Sequence, residues 1–595
     1  MTRERVEALR ELMKEENVDA YLVPSTDPHA SEYVPACWER RLWISGFTGS
    51  AGEVLITADQ GGLWTDGRYF IQAEEQLKGS GIDLFKMGMP DVPTIEDWIV
   101  KNLKEGQTVG VDPKVLSMER AGKLEKALKD RNMSIKYMER NLVDVLWEDR
   151  PSPSSDPVIV LSDETTGESL EKKLQRLREK MTDKAADAHV LSSLDTIAWL
   201  FNLRGSDVEY NPVFISYAVV EKDSAHLFID TEKITDEAKN HLDDLVKVHP
   251  YEEIGEYLES MGGKEIRIWL DQKTTNKWIH LLLSGKARIH RDRSPVTDFK
   301  SVKNDVELQG IRNAHIRDGA AMVKFLKWLE DSVPQGGVTE LSASDRLEDF
   351  RKQGDGFVGL SFETISGYGE HGAIVHYAAT EETDVPIKPE GIYLVDSGGQ
   401  YVDGTTDITR TVCMGNPTEE QKDMFTRVLK GHIDLSLLRF PKGFSGKQIE
   451  LPARKALWDA GKNYNHGTGH GIGHYLNVHE GPMGITPRDI GVPLDAGNVL
   501  SNEPGYYKAG EYGIRTENVV VVVKDENLSS EELTFLGFET LTMCPIDLSL
   551  VKPELLTKEE ISWLNDYHGM VFEKVSPLLD EDHSEWLKEK TGPIK

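Results

Sequence analysis

An internal repeat in the first half of the chain constrains the fold more than any other feature of the sequence. ALRELMKEENVDAYLVPSTD (Ala8 to Asp27) aligns with RLREKMTDKAADAHVLSSLD (Arg176 to Asp195) at a constant offset of 168 residues (176 − 8 and 195 − 27). In both copies an amphipathic helix leads into an apolar strand, a pattern typical of an α/β unit. GGLWTDGRY (Gly61 to Tyr69) resembles AHLFIDTEK (Ala225 to Lys233) further along. The repeat therefore predicts two related α/β domains in tandem.

Composition marks the expected domain boundaries. A Pro/Ser-rich segment from Arg150 to Pro157 cannot continue a helix. A second break, Arg291 to Asn304, precedes an amphipathic helix predicted for Asp305 to Lys327. Because 595 residues are too many for one core, we expect domains over residues 1–155, 156–300 and 301–595.

Charge and cysteine content narrow the functional class. A net charge of -32 and a pI near 5.0 argue against nucleic-acid or anionic-membrane partners. The three cysteines form no CxxC pair, and the charged helix predicted for Met1 to Asn17 contains no apolar stretch typical of a signal peptide. The longest valine run, Val519 to Val523, is too short to cross a membrane and is predicted to be a buried strand. We expect a cytoplasmic protein.

Two aspartates in the last third are predicted to lie side by side. Asp396 ends an apolar strand, Asp403-Gly404 is a hairpin turn signal, and the returning strand from Thr405 to Thr411 carries Asp407. A hairpin can therefore place Asp396 and Asp407 next to each other. Burying two adjacent carboxylates without a cation is costly, so the pair predicts a metal site.

Two glutamates repeat this arrangement. Glu503 ends the strand that begins at Asn498, and Glu517 stands at the head of the valine run. An unpaired buried carboxylate is expensive, so a cation or an arginine must compensate Glu517. Arg515, two residues earlier on the same strand face, leaves a salt bridge open as the alternative to a metal.

Histidines are concentrated in the same part of the chain. His466-Gly-Thr-Gly-His470-Gly-Ile-Gly-His474 is too rich in glycine to be a helix, and glycine suits close backbone approach to a site. His376 and His479 add two more imidazoles. One histidine is predicted to complete the metal sphere, and the others to transfer protons and bind substrate.

These strings resemble a known family. FETISGYGEHGAIVHY, LVDSGGQYVDGTTDITRT, HGTGHGIGH and NEPGYY are similar to the creatinase/methionine-aminopeptidase "pita-bread" family. Together with the N-terminal repeat and LWTDGRYF, they resemble the long form of the Xaa-Pro aminopeptidases over nearly the whole length. The resemblance implies an α/β (α+β) chain in which two creatinase-like domains precede a pita-bread catalytic domain.

The resemblance also implies a role for each candidate residue. By this resemblance Asp396 would bind one metal ion, Asp407 and Glu517 would bridge two ions, and His470 would complete a sphere. Glu503 would be both a ligand and the general base. The residues implied to contact substrate and stabilise the tetrahedral intermediate are His376, His466 and His479, and those implied to line the proline-side pocket are Tyr507 and Arg515.

The implied activity is removal of the N-terminal residue from peptides with proline in second position, by attack of a hydroxide that bridges two metal ions. The oxygen-rich ligand set favours Mn²⁺. A prolidase that cleaves only Xaa-Pro dipeptides is the alternative, and the tandem repeat argues against it. A non-catalytic peptide- or histone-binding relative would be expected to lack ligands, and all five are present. The resemblance further implies a homodimer.

Overall fold

The computed structural model describes residues 2–261 and 265–595, so Met1 of the predicted N-terminal helix lies outside the described residues. The chain divides into two compact units, Met1–Leu161 with Glu168–Val296, and Ser162–Gly167 with Thr297–Lys595. Both copies of the repeat belong to the first unit, and every candidate ligand belongs to the second. The division into three domains at residues 155 and 300 stays a prediction.

The first unit contains two six-stranded sheets with the same strand order. In spatial order the first sheet comprises Asp83–Lys86, Gly61–Thr65, Glu53–Thr57, Ala20–Val23, Thr108–Val111 and Ser134–Tyr137. The second comprises Lys247–His249, Ala225–Ile229, Ser216–Glu221, Ala188–Leu191, Arg267–Leu270 and Arg288–Arg291. Ile159–Val160 pairs separately with Leu203–Arg204.

Helices flank these sheets. Those of the first copy are Thr2–Glu15, Arg40–Ser45, Phe70–Gln76, Ile95–Asn102, Met118–Lys129 and Leu142–Leu146. Those of the second copy are Leu170–Asp183, Leu194–Leu200, Asp236–Leu242, Ile254–Met261 and Lys277–Leu283. Helix Pro295–Ser301 spans the change from the first unit to the second.

The repeat prediction is confirmed at the level of single side chains. Helix Thr2–Glu15 and helix Leu170–Asp183 begin and end 168 residues apart (170 − 2 and 183 − 15). The first buries Val6, Leu9 and Met13, and the second buries their counterparts Leu174, Leu177 and Met181. These spacings of three and four residues place one apolar stripe against each sheet. The same amphipathic pattern therefore produces the same α/β unit twice.

Aromatic side chains of the first copy belong mostly to its core. Trp64 is 1% exposed and Tyr69 is 4% exposed. Trp43 is half-buried and packs against the cluster that contains Tyr69.

The second unit is built around short antiparallel sheets. A six-stranded sheet comprises Phe440–Pro441, Phe535–Thr540, Asn518–Lys524, Val499–Asn502, Gly469–Gly471 and Glu480–Ile485 in spatial order. Two three-stranded sheets comprise Ile365–Tyr368, Ile392–Ser397 and Ile408–Cys413, and Phe357–Leu360, Gly399–Tyr401 and Gly404–Thr405. Gly505–Lys508 pairs with Tyr512–Arg515. The valine run lies in buried strand Asn518–Lys524, as predicted.

Helices surround these strands. They are Asp163–Thr166, Asp305–Ser332, Glu340–Arg351, Glu419–Leu437, Gly446–Ile449, Leu451–Trp458, Lys558–Val575 and Glu581–Lys590. The helix predicted for Asp305 to Lys327 continues to Ser332 and begins with a capping box between Asn304 and Glu307. The chain therefore ends in two helices, Lys558–Val575 and Glu581–Lys590. No helix in the described part of the chain is both long and apolar enough to cross a membrane.

Candidate metal centre

One hairpin brings Asp396 and Asp407 together. Strand Ile392–Ser397 pairs antiparallel with Ile408–Cys413, and Asp396 stands opposite Thr409. The sequence predicted one continuous returning strand from Thr405 to Thr411. The structure divides it into Gly404–Thr405 and Ile408–Cys413, and Asp407 lies between the two parts. Asp396 and Asp407 are both buried. The hairpin therefore buries two carboxylates at one end of the sheet.

A second strand pair contributes Glu503 and Glu517. Val499–Asn502 pairs antiparallel with Asn518–Lys524, and Asn502 stands opposite Asn518. Glu503 follows the first strand and Glu517 precedes the second, so both leave the same end of the pair. Glu517 is 1% exposed.

His470 lies on the short strand Gly469–Gly471, where glycine lets neighbouring backbones approach. A Cβ at Gly469 would lie 2.0 Å from the carbonyl oxygen of Ser501, and one at Gly471 would lie 2.2 Å from that of Glu480. A side chain at either position would push His470 away from the carboxylates.

The hydrogen bonds of His470 define which nitrogen faces the carboxylates. Nδ1 lies 2.9 Å from the carbonyl oxygen of Gly471, which can only accept, so Nδ1 carries the proton. Nε2 lies 3.3 Å from Asp407 Oδ2 and 3.6 Å from Glu503 Oε1. A backbone carbonyl that fixes the tautomer in this way is typical of a metal-ligating histidine.

The carboxylates disturb one another's protonation. Burial raises the pKa of Glu517 well above its ordinary value, and Asp407 and Asp396 raise it further. Burial also raises the pKa of Asp396 and of Glu503. Burial lowers the pKa of His470, but Asp407 and Glu503 more than reverse this and bring it to about 9. This cluster of carboxylates is therefore stabilised by added positive charge.

Arg515 neutralises Asp396. Its Nη2 donates to Asp396 Oδ2 at 2.7 Å, and its Nε donates to the Thr409 hydroxyl at 3.0 Å. Glu517 accepts its hydrogen bond from that hydroxyl, at 2.7 Å. The alternative that Arg515 compensates Glu517 is therefore not the arrangement found.

The guanidinium of Arg515 also begins a chain of hydrogen bonds to His466. Nη1 donates to the Tyr507 hydroxyl at 2.7 Å, and that oxygen lies 2.9 Å from His466 Nε2. His466 Nδ1 lies 2.7 Å from the carbonyl oxygen of Gly467 and must donate to it. The Tyr507 hydroxyl therefore joins the Arg515 guanidinium to the His466 ring.

The other two predicted histidines lie on flanking segments. The His479 ring packs edge-to-face on the His470 ring, with centroids 4.3 Å apart. His376 lies in a turn after the 3₁₀ segment Gly369–Ala373. That segment contacts the strand of Arg515, since a Cβ at Gly513 would lie 1.7 Å from the carbonyl oxygen of Gly372.

Sequence reasoning missed two hydroxyl side chains. Thr409 bridges Arg515 and Glu517 as described above. Ser501 accepts from the backbone N–H of His470 at 3.0 Å and donates to Glu503 Oε1 at 3.2 Å. Thr409 lies two residues after Asp407 and Ser501 two before Glu503, and residues two apart share a strand face. In the strands predicted from the sequence, this spacing could have placed Thr409 and Ser501 beside the ligands.

The donor set fits divalent cations. Single ligand atoms of Asp407, His470 and Glu517 all lie within 4.8 Å of one another. Asp396 Oδ1 is buried and has no hydrogen-bond partner among the described residues, which is costly without a cation. Carboxylate oxygens and one imidazole suit Mn²⁺ and other hard or intermediate ions.

Related proteins show the family to which the chain belongs. The chain is 46% identical over 606 residues to a probable Xaa-Pro aminopeptidase P of Laccaria bicolor, across 100% of this chain and 94% of that one. The chain belongs to the Xaa-Pro aminopeptidase P family. A second family member, from Coprinopsis cinerea, is 45% identical across 100% of this chain and 98% of its own length.

Family models divide the chain in the same sense. A creatinase/prolidase N-terminal domain matches residues 5–140, and a second model of that description matches residues 149–307. The metallopeptidase family M24 matches residues 309–524, and its C-terminal region matches residues 534–594. The chain is therefore an α/β protein with creatinase-type N-terminal domains before a pita-bread metallopeptidase domain, as expected.

Solved structures separate two kinds of relative. The X-prolyl aminopeptidase of Caenorhabditis elegans, described as a cytosolic enzyme with a di-nuclear active site, is 40% identical and superposes with a TM-score of 0.96 over 100% of both chains. The Xaa-Pro dipeptidase of Bacillus anthracis is 23% identical, with a TM-score of 0.52 over 64% of this chain and all of its own. The second likeness shows a shared fold alone.

Proposed function

We propose that this chain is a metal-dependent aminopeptidase that removes the N-terminal residue from peptides with proline in second position. The observation that carries the proposal is the convergence of buried Asp407 and Glu517 with half-buried His470 in a chain that belongs to the Xaa-Pro aminopeptidase P family. Asp396 and Glu503 adjoin that group. The molecule is a hydrolase of the M24 metallopeptidase family.

Two divalent ions, which we propose to be Mn²⁺, would be held by Asp396, Asp407, His470, Glu503 and Glu517. The chemistry they supply when bound is Lewis acidity, which polarises a carbonyl and lowers the pKa of water. The di-nuclear description of the C. elegans enzyme supports the number of ions. The predominance of oxygen donors supports Mn²⁺.

Glu503 is the proposed general base. Its side chain is 19% exposed, against 11% for Asp396 and 5% for Asp407, so it is the more accessible to an incoming water. Burial raises the pKa of Glu503, which strengthens the carboxylate as a proton acceptor. Ser501 holds one carboxylate oxygen and orients the other.

His376, His466 and His479 are proposed to contact substrate and stabilise the oxyanion. The Tyr507 hydroxyl lies 2.9 Å from His466 Nε2, and burial raises the pKa of Tyr507 to about 12, so that this hydroxyl stays protonated. Tyr507 and Arg515 are proposed to line the pocket for proline. Arg515 would thereby connect this pocket to Asp396.

A comparison of three peptides tests the proposal. The Mn²⁺-loaded protein is given an Xaa-Pro-Xaa tripeptide, an Xaa-Pro dipeptide and an Xaa-Ala-Xaa control, and products are identified by mass spectrometry. We expect release of the first residue from the tripeptide and little from the control. Cleavage restricted to the dipeptide would indicate a prolidase, and no cleavage of either proline peptide would contradict the proposal.

We further propose that the chain works as a cytoplasmic homodimer. The description of the C. elegans enzyme as cytosolic supports the location. Light scattering at micromolar concentration tests the assembly. A mass near 66.8 kDa that is unchanged on concentration would contradict a dimer, and about twice that mass would support it.

A further inference from the structure

A buried carboxylate outside the metal centre binds both ends of residues 368–377, the segment that carries His376. Glu340 is the first residue of helix Glu340–Arg351 and is 0% exposed. Its Oε1 accepts the backbone N–H of Tyr368 at 2.7 Å. His371 Nδ1 lies 2.9 Å from both carboxylate oxygens, and the Tyr377 hydroxyl donates to Oε2 at 2.9 Å.

These three donors span the whole segment. Tyr368 ends strand Ile365–Tyr368, His371 lies in the 3₁₀ segment Gly369–Ala373, and Tyr377 directly follows His376. The rings of His371 and Tyr377 also contact each other, with centroids 4.4 Å apart. One carboxylate therefore binds the beginning, the middle and the end of the segment.

The electrostatics make this contact strong. The hydrogen bond to Glu340 raises the pKa of His371 against the lowering effect of burial, so the pair is charge-assisted. Burial and Glu340 both raise the pKa of Tyr377, so its hydroxyl remains a donor. A buried carboxylate with three donors orders its surroundings more firmly than neutral hydrogen bonds do.

We propose that Glu340 is a positioning residue, which holds His376 in place to act on the substrate by binding Tyr368, His371 and Tyr377. The inference rests on the proposed function, because it takes His376 to be a substrate-contacting histidine. Glu340 itself acts only through the segment it binds.

Two variants and one matched control test this proposal. Glu340→Gln replaces an accepting oxygen by an amide NH₂, and Tyr377→Phe removes one donor. Tyr393→Phe is the control, because the Tyr393 hydroxyl lies 2.7 Å from Ser366 Oγ, which bonds the backbone carbonyl of Glu340 and not its carboxylate. All three changes are buried and remove polar contacts beside the same helix.

The first measurement needs no activity. Hydrogen exchange of the full chain, followed by mass spectrometry, should show exchange in residues 368–377 faster by about tenfold in Glu340→Gln, since a charge-assisted contact is lost. Tyr377→Phe, which removes one of the three donors to Glu340, should raise exchange less, and Tyr393→Phe should leave that segment near wild type. Equal exchange in Glu340→Gln and wild type would overturn the proposal.

The second measurement is a double-mutant cycle on kcat. Glu340→Gln should lower kcat for the Xaa-Pro-Xaa tripeptide by about tenfold or more, with KM little changed and metal content equal to wild type. In a His376→Ala background the same change should have little further effect. Additive effects in an active wild-type background would overturn this inference alone, whereas an inactive wild-type protein would overturn the proposed function with it.

Discussion

The pKa values of two imidazoles, one in each unit, are shifted in opposite directions. His189, on a strand of the second repeat sheet, is 0% exposed, with Nδ1 3.0 Å from the carbonyl oxygen of Trp269 and Nε2 2.8 Å from Ser294 Oγ. Burial lowers its pKa to about 4. His470 faces Asp407 and Glu503, which raise its pKa to about 9 against the lowering effect of burial. The difference arises from their neighbours.

Buried carboxylates show the same contrast. Asp207, in the first unit, has the ammonium of Lys233 as its own counter-ion. Glu517 accepts a hydrogen bond from the Thr409 hydroxyl. The negative charges of Asp407, Asp396 and Glu503 repel that of Glu517. A paired buried carboxylate is structural, whereas a cluster with too few counter-charges indicates a cation site.

Metal removal should have the largest effect on turnover. Exhaustive chelation should reduce turnover of the tripeptide to background, and added Mn²⁺ should restore it, because the carboxylate cluster is complete only with cations. Turnover and metal content are measured on the same samples. Full activity at verified zero metal would contradict the two-ion proposal.

Glu503→Gln should lower kcat by about 10²–10⁴-fold, the usual contribution of general acid–base catalysis. An amide cannot accept the proton from water, although it can still accept a hydrogen bond from Ser501. Because metal occupancy can fall as well, it is measured in the variant. Near-native kcat at full occupancy would remove Glu503 from the role of base.

Replacing a carboxylate by its amide should have opposite effects in the two units. Asp207→Asn leaves the buried Lys233 ammonium unpaired and should destabilise the protein by about 3–5 kcal/mol. Glu517→Gln relieves repulsion and should leave the chelated protein at least as stable as wild type. Chemical unfolding in the presence of chelator measures both. A comparable loss in Glu517→Gln would show that the cluster is not short of positive charge.

The smallest expected effect is the pH response of His189. Its pKa is lower in the folded state than the ordinary 6.5, so its stabilising contribution is complete above pH 6.5 and is lost as pH falls toward 4. Between pH 7 and pH 5 this contribution should fall by about 2 kcal/mol. His189→Gln should remove this part of the pH dependence of unfolding. Identical pH profiles for wild type and variant would contradict the assignment.

The repeat was predictable because it is encoded locally. Val6, Leu9 and Met13 define one helical stripe, and the same spacing recurs 168 residues later (174 − 6). The family strings placed the candidate ligands for a similar reason, since each adjoins its own strand. Local periodicity and turn chemistry need no knowledge of distant contacts.

Pairings between distant segments were not predictable in this way. Arg515 lies two residues from Glu517 in sequence, yet its guanidinium binds Asp396, 119 residues away. The break in the returning strand at Asp407 and the binding of Glu340 to Tyr377 also depend on how separate segments pack. Hydrogen-bond partners of this kind are selected by the fold as a whole.

The sequence by itself determined the α/β repeat, the order of elements and the identity of the candidate donors, because each depends on residue type and short spacing. Only the tertiary structure decided which carboxylate receives the arginine, which nitrogen of His470 faces the cluster and which carboxylates are left without a counter-charge. Those outcomes depend on distances of a few ångströms between segments far apart in the chain, where Coulomb energies change steeply with separation and burial.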